Sequence, residues 1–296
     1  MKTSQINSIQ TVLALGISLI LWASGFAGVR ASLTSYSPEH LVLLRFLVAS
    51  SVLVVYALLT QMRLPRIKDV PIMLLLGFFG VALYHLCLSY GQRTITASAA
   101  SLLNASSPIF TVLFATVFLE ERLAAKGWIG IITSFIGAIL ISLSESDSIY
   151  FNTNALLIII AAISQGIYFT LQKFYLKKYN AFELATYTIW GGTVLLMFSL
   201  SSLVETIYSA PLQATLTIAY LGVFPAAIAY MSWNYVISKM PVSQAASFLY
   251  LVPILASLIA WIWLKEIPNL LSVLGGVLVL SGVLLVNNVN SKNLNS

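Results

Sequence analysis

Charge is scarce in this sequence. Only 8% of its 296 residues are Asp, Glu, Lys or Arg, and 59% are hydrophobic; an ordinary soluble domain is about 25% charged. So few charges cannot build a water-facing surface, so most of the exterior must face lipid. Cysteine is nearly absent as well. Cys87 stands alone, which excludes an internal disulfide and any cysteine-rich metal site. Acids are missing from the middle of every hydrophobic run, since all nine lie in loops or at run ends. A carboxylate-driven proton pump or an intramembrane enzyme with acidic metal ligands would need them there. No HExxH, GxSxG, Walker A or Rossmann glycine pattern occurs. No catalytic residue, metal or cofactor is therefore expected. The formal net charge of +6 is scattered over short loops, a distribution that argues against a nucleic-acid partner and for the positive-inside bias of membrane proteins.

What the sequence does contain is long apolar runs. A membrane span needs roughly 20 apolar residues. Ten candidates follow, at 9–29, 40–60, 70–90, 97–119, 127–144, 154–174, 183–204, 214–237, 242–264 and 270–288. The first is read as a retained span and not a removed signal peptide, because no small-residue cleavage site follows it. The connections are too short for a soluble domain, so function must lie inside the helix bundle. With the N-terminus placed inside, eleven Lys and Arg fall on the inner side, three on the outer side, and Arg45 within a span. The positive-inside rule then puts both termini in the cytoplasm. The expected location is the cell (inner) membrane, with the lipid bilayer itself as a partner. A homodimer is compatible with the sequence, but nothing requires one.

Sliding the chain by 145 residues lays 76–141 over 221–286 without a gap, and sixteen of the 66 pairs are identical. They include Gly77/Gly222, Tyr90/Tyr235, Ser98/Ser243, Pro108/Pro253, Glu121/Glu266, Gly130/Gly275 and Gly137/Gly282. Aligned Pro, Glu and Gly are not interchangeable with Leu or Val, so shared hydrophobicity alone does not explain them. The unit holds five spans. An odd number makes two copies insert with opposite orientation, a feature of many secondary transporters. The sequence thus predicts an all-α membrane protein of ten transmembrane helices in two inverted five-helix repeats, 1–146 and 147–296. Its binding site is expected near the midplane between them.

Several segments carry a resemblance. They are LWASGF from Leu21 to Phe26, LLRFLVA from Leu43 to Ala49, and the long stretch from Ala97 to Leu123, repeated as Val242 to Glu266. In these segments the chain resembles the EamA-type family of the drug/metabolite transporter superfamily. The resemblance spans essentially the whole chain. It implies export or exchange of small metabolites through a central cavity, without fixing the solute. One departure is LKE in the second half where the first has LEE.

Polar groups at membrane depth usually face the bundle interior or a wet cavity. Arg45 suits bidentate pairing with a carboxylate; the alternative is that it snorkels to headgroups or pairs with helix-end carbonyls. His85, after Tyr84, could relay protons or be a satisfied hydrogen-bonding residue, and its aligned partner is Tyr230. Asn104 and Ser106 precede Pro108, and Tyr250 precedes Pro253; the two prolines are hinge candidates because each removes a backbone hydrogen bond. Trp22, Gln165, Tyr168, Trp190, Trp233 and Asn234 could line a cavity for amphipathic or aromatic solutes. Gly130, Gly137, Gly275, Gly276 and Gly282 suggest close helix packing.

The leading expectation is a secondary transporter exporting or exchanging small organic metabolites, amino-acid-like or amphipathic, by alternating access. Two other classes stay open here. An intramembrane enzyme acting on lipid is disfavoured by the missing acids. A scaffold or channel would gain nothing from two interconvertible halves.

Overall fold

The computed structural model describes residues 9–119, 125–144, 152–239, 245 and 248–293, and these are helical with no strand among them. Six helices are long and apolar enough to cross a membrane, by length and composition: Ile9–Ser32, Pro38–Leu59, Ile67–Gly91, Asn154–Tyr175, Ala181–Ser199 and Leu212–Lys239. All six start within three residues of their expected positions. Shorter apolar helices lie at Trp128–Ile141, Leu251–Leu264 and Leu270–Gly282. Large apolar side chains such as Leu13, Val55, Ile132, Leu274 and Val277 are exposed on the outer faces. This is the surface of a multi-pass membrane protein.

Local sequence explains where helices begin and break. In chain order we label α1 Ile9–Ser32, α2 Pro38–Leu59, α3 Val70–Gly77, α4 Tyr84–Gly91, α5 Ala97–Asn104, α6 Ser107–Leu119 and α7 Ala125–Ser144. They are followed by α8 Asn154–Tyr175, α9 Ala181–Leu196, α10 Leu203–Ser209, α11 Leu212–Leu221, α12 Ala229–Lys239, α13 Leu251–Leu264 and α14 Leu270–Asn293. Asn180 and Glu183 form a reciprocal capping box at the start of α9, satisfying amides that have no partner within the helix. Thr96 caps α5 through the Ala99 amide. The short α10, in the connection after α9, carries no long apolar run and was not expected.

Two π-helical turns interrupt the long helices: Phe78–Leu83 between α3 and α4, and Gly222–Ile228 between α11 and α12. Such turns shift the register of a helix and often mark functional positions. Shifted by 145 residues, the first falls on the second. The breaks before the two prolines also correspond. A turn at Ala105–Ser106 separates α5 from α6, and a 3₁₀ turn at Phe248–Tyr250 precedes α13. Pro108 and Pro253 thus sit in the first turn of a new helical piece, where a missing N–H costs little, and neither interrupts the middle of a continuous helix.

The packing is reciprocal. The first π-turn lies on α9, and the second lies on α2. The α4 helix packs on α8 and α12 on α1; α6 packs on α8 and α13 on α1. In each pair of contacts the two members exchange roles under the 145-residue shift. The α7–α14 crossing shows it residue by residue. A Cβ on Gly275 would lie 2.7 Å from the Gly137 carbonyl oxygen, and a Cβ on Gly282 would meet the Gly130 carbonyl. Ser134 Oγ donates to the Val279 carbonyl at 3.0 Å, across a separation of 145 residues. Residue i touching the mate of j, while j touches the mate of i, is the pattern of a two-fold contact. Glu121, the mate of Glu266, lies outside the described residues, as does Ser243.

Polar networks tie helix ends together on both sides of the bundle. At one end Arg30 Nε lies 3.3 Å from Glu266 Oε1, and Arg30 Nη1 donates to the Gln92 and Arg93 carbonyls at 2.6 and 2.8 Å. Glu266 Oε2 accepts from the Ala97 amide at 2.9 Å, placing a carboxylate at the positive end of α5. Gln92 Nε2 reaches the Phe26 carbonyl at 3.0 Å. At the other end Asp69 pairs with Lys178 and accepts from the Tyr179 hydroxyl. There Tyr187 donates to the Arg63 carbonyl.

Candidate functional site

The bundle holds a cavity of about 60 Å³. A water needs roughly 10–15 Å³ of such space, so it has room for about five. Pockets that hold drug-sized ligands run to roughly 300–1,000 Å³. A larger solute therefore requires the helices to part.

The walls come from continuous and interrupted helices alike. Trp22 of α1, Arg45 of α2, Tyr84 and His85 of α4, Asn104 of α5, Gln165 and Tyr168 of α8, and Tyr230 and Trp233 of α12 all line it, with Pro108 and Pro253 at its edge. The aromatic side is continuous. Trp22 meets Tyr230 edge-on at 5.8 Å and Trp233 at 5.1 Å; Phe169 lies 5.8 Å from Trp233, and Tyr168 6.5 Å from Tyr230. Offset and edge-on rings make a rigid apolar surface at low entropic cost. Gly80 is needed for this closeness, because a Cβ there would lie 2.7 Å from the Tyr168 ring.

The polar side is assembled by α2, α4, α5 and α8. Arg45 is the eighth residue of α2, about 10 Å along the helix from its start. It is only 3% exposed, so its guanidinium is buried and does not reach out to headgroups. Nη1 lies 3.4 Å from His85 Nδ1, and the charge sits 5.5 Å from the Phe46 ring centre. Among the described residues the ion pairs are Arg30–Glu266 and Lys178–Asp69; no carboxylate pairs with Arg45. Burying a charge costs several kcal/mol before compensation, and one hydrogen bond with one aromatic face offsets only part of it. Among the described residues Arg45 Nε, Trp233 Nε1 and Asn104 Oδ1 have no hydrogen-bond partner. Asn104 Nδ2 donates to Gln165 Oε1 at 3.3 Å, with Tyr84 beside both. The cavity lining thus includes a fixed cation with an unpaired Nε donor and an unpaired acceptor on Asn104, set against an aromatic wall. That combination fits a small solute carrying an anionic group and an apolar body. No group of three or more His, Cys, Asp or Glu gathers as a metal site among the described residues.

Three of the expected residues lie elsewhere. Ser106 turns back onto its own backbone, donating to the Leu103 carbonyl at 2.7 Å. Trp190 packs 6.3 Å from Tyr187 and directs its indole N–H at the Ser50 carbonyl. Asn234 donates to the Ala181 carbonyl at 3.0 Å, tying α12 to the start of α9. The backbone of Tyr250 is in the 3₁₀ turn before α13, and its side chain lies outside the described residues. The lining also includes Phe26, Gly80, Ser101, Phe169 and Leu249. Phe169 was findable, since it stands one turn beyond Gln165 on the same face of α8. Gly80 carries no chemistry of its own to flag it.

A multi-pass helical bundle around a small polar and aromatic chamber is the architecture of a solute carrier, and the comparisons with known proteins agree. The model of the EamA-like transporter family matches residues 9–143 and again 152–288. The chain belongs to that family. It is 43% identical over 288 residues to the uncharacterized transporter YdfC of Bacillus subtilis (strain 168), covering 96% of this chain and 94% of that one. It is 37% identical over 278 residues to a protein of Streptantibioticus cattleyicolor named as a probable terminal-alkyne amino-acid exporter, covering 94% and 93%. A solved crystal structure shares the fold, with a TM-score of 0.65 at 18% identity over 93% of this chain and 96% of its own. The family and the names of its members indicate a transporter and not an enzyme.

Proposed function

We propose that the chain is a secondary transporter that exports or exchanges small amino-acid-like or amphipathic solutes by alternating access. The observation that carries this reading is the buried Arg45, without a carboxylate partner among the described residues, beside an aromatic wall in a small chamber. Arg45 takes the solute's carboxylate; Asn104, Gln165 and Tyr84 take its other polar group; Trp22, Phe169 and Trp233 cover its apolar body. The name of the Streptantibioticus relative supports an amino-acid-like solute.

In this reading the chain crosses the cell membrane ten times, as two inverted halves, 1–146 and 147–296, with both termini cytoplasmic. The matched π-turns and the reciprocal crossings support that division. Two pseudo-symmetric halves can exchange conformations, giving outward- and inward-open states of similar energy. The Arg30–Glu266 network then closes the outer end and the Asp69–Lys178 network the inner one.

A single cysteine tests it. With Cys87 replaced by serine, cysteine at Asn104 is expected to react with a small polar thiol reagent at a rate that depends on state. Glu266→Gln, which removes the charge shared by Arg30 and the α5 terminus, is expected to raise that rate several-fold from outside the cell. A site inert in every state, with and without Glu266, means that Asn104 faces packed protein and the chamber never opens.

A further inference from the structure

Arginine donates hydrogen bonds and never accepts them, and this fixes each proton in the chain that leaves Arg45. Nη1 faces His85 Nδ1 at 3.4 Å, so Nδ1 accepts and the ring hydrogen sits on Nε2. Nε2 lies 3.2 Å from the Tyr230 hydroxyl, which accepts from the ring. The hydroxyl in turn donates to the Gly80 carbonyl at 2.9 Å, an acceptor only. Gly80 lies in the first π-helical turn, where carbonyls lean out of the ordinary helical ladder. The chain therefore runs from α2 to α4, crosses to α12, and returns to the π-turn. His85 and Tyr230 are 145 residues apart and hold the same place in the two repeats. Phe46 at 4.7 Å and Tyr84 at 4.6 Å fix the plane of the imidazole. Arg45 Nε is left unpaired.

We infer that His85 is a positioning residue, which holds the Arg45 guanidinium with its Nε–H edge free for the solute and ties that grip to the docking of one half on the other through Tyr230. The inference rests on the reading of Arg45 as the carboxylate site. A histidine kept only for packing would be indifferent to which nitrogen carries its hydrogen. Here one tautomer alone completes the chain.

Two measurements on the full chain test it. The sequence has two histidines, His40 and His85, so ¹⁵N-histidine labelling in a His40→Gln background leaves one ring to observe in bilayers. The expected spectrum is a neutral ring with hydrogen on Nε2 and an Nδ1 signal that moves in Arg45→Lys. Hydrogen on Nδ1, or an Nδ1 signal blind to Arg45→Lys, overturns the proposal. The second measurement is uptake of L-leucine against L-leucinamide, which lacks the carboxylate, into proteoliposomes. Asparagine places its oxygen where Nδ1 stands, and glutamine places its polar atoms where Nε2 stands. His85→Asn is expected to keep the wild-type preference for leucine within about twofold. His85→Gln, which strands the Nη1 hydrogen, is expected to lose about tenfold. Equal preferences in the two variants overturn positioning. A wild-type chain that takes up both solutes alike, or neither, overturns the carboxylate reading and the grip with it, while the spectrum still reports whether the chain exists.

Discussion

Arg45→Ala is expected to reduce transport of a carboxylate-bearing solute at least 100-fold while leaving an uncharged analogue within a few-fold. The loss comes from removing a charge in a low-dielectric chamber. A hydrogen bond to an ionised group contributes about 1.5–3 kcal/mol, and a bidentate guanidinium–carboxylate pair makes two. Among the described residues no acid pairs with the buried cation, so the solute's carboxylate meets a charge not already neutralised. Removing the cation also leaves His85 Nδ1 without its donor. Efflux from loaded cells, compared for an amino acid and its amide, checks the result. Equal loss for both solutes would assign Arg45 to the fold instead. Arg45→Lys separates the two further, because lysine keeps the charge but not the planar fork.

The second large effect falls on stability. Gly77→Val is expected to destabilise the protein by about 3 kcal/mol or more, because the new side chain would strike backbone and not a movable side chain. A Cβ at Gly77 meets the Gly192 amide nitrogen and lies 2.8 Å from the Thr188 carbonyl oxygen. Its repeat mate behaves alike: a Cβ at Gly222 would lie 2.6 Å from the Arg45 carbonyl oxygen. Gly222→Val is therefore expected to lose stability and to move Arg45 as well. Gly16 is the control, since a Cβ there meets nothing within 4 Å. Thermal unfolding in detergent should show midpoints lowered by roughly 5–10 °C for both crossing variants and an unchanged midpoint for Gly16→Val. A drop as large in Gly16→Val would mean that any added bulk is harmful and that the crossings are not special.

These two cases show what could be read from the sequence. Arg45 stood out because a charge within an apolar run needs a reason, and the chamber supplies one. Gly77 and Gly222 stood out because glycines that match at a fixed offset are not explained by hydrophobicity. The π-turns were invisible, because one extra residue in a helical turn leaves hydropathy unchanged. Their effect was not small: each shifts the face that the following helix presents. The Asn234 side chain, on the helix that follows the second π-turn, faces away from the chamber although its type suits it, while Trp190, on the uninterrupted α9, is held by the Ser50 carbonyl. Ser106 was lost for a local reason, since the break before Pro108 frees the Leu103 carbonyl to capture its hydroxyl. Phe169 and Gly80 were passed over because an apolar wall residue looks like any other core residue until its neighbours are known.

The same distinction bears on motion. The matched prolines begin helical pieces and line the chamber, while the first π-turn accepts at Gly80 the hydrogen bond from Tyr230, which stands just beyond the second π-turn. In the proposed alternating-access cycle, helix ends and register shifts, not a kink inside a continuous helix, would be where the two halves alter their angle around the solute.

The central claim is that this chamber binds and carries a small carboxylate-bearing solute. The most direct measurement is counterflow in proteoliposomes preloaded with unlabelled amino acids, screened with a labelled panel of amino acids and related metabolites. The expected result is saturable accumulation of at least one amino-acid-like solute by the wild-type chain, abolished by Arg45→Ala in protein that remains folded. Absence of saturable movement for every solute in the panel, or accumulation undiminished by Arg45→Ala, would contradict it.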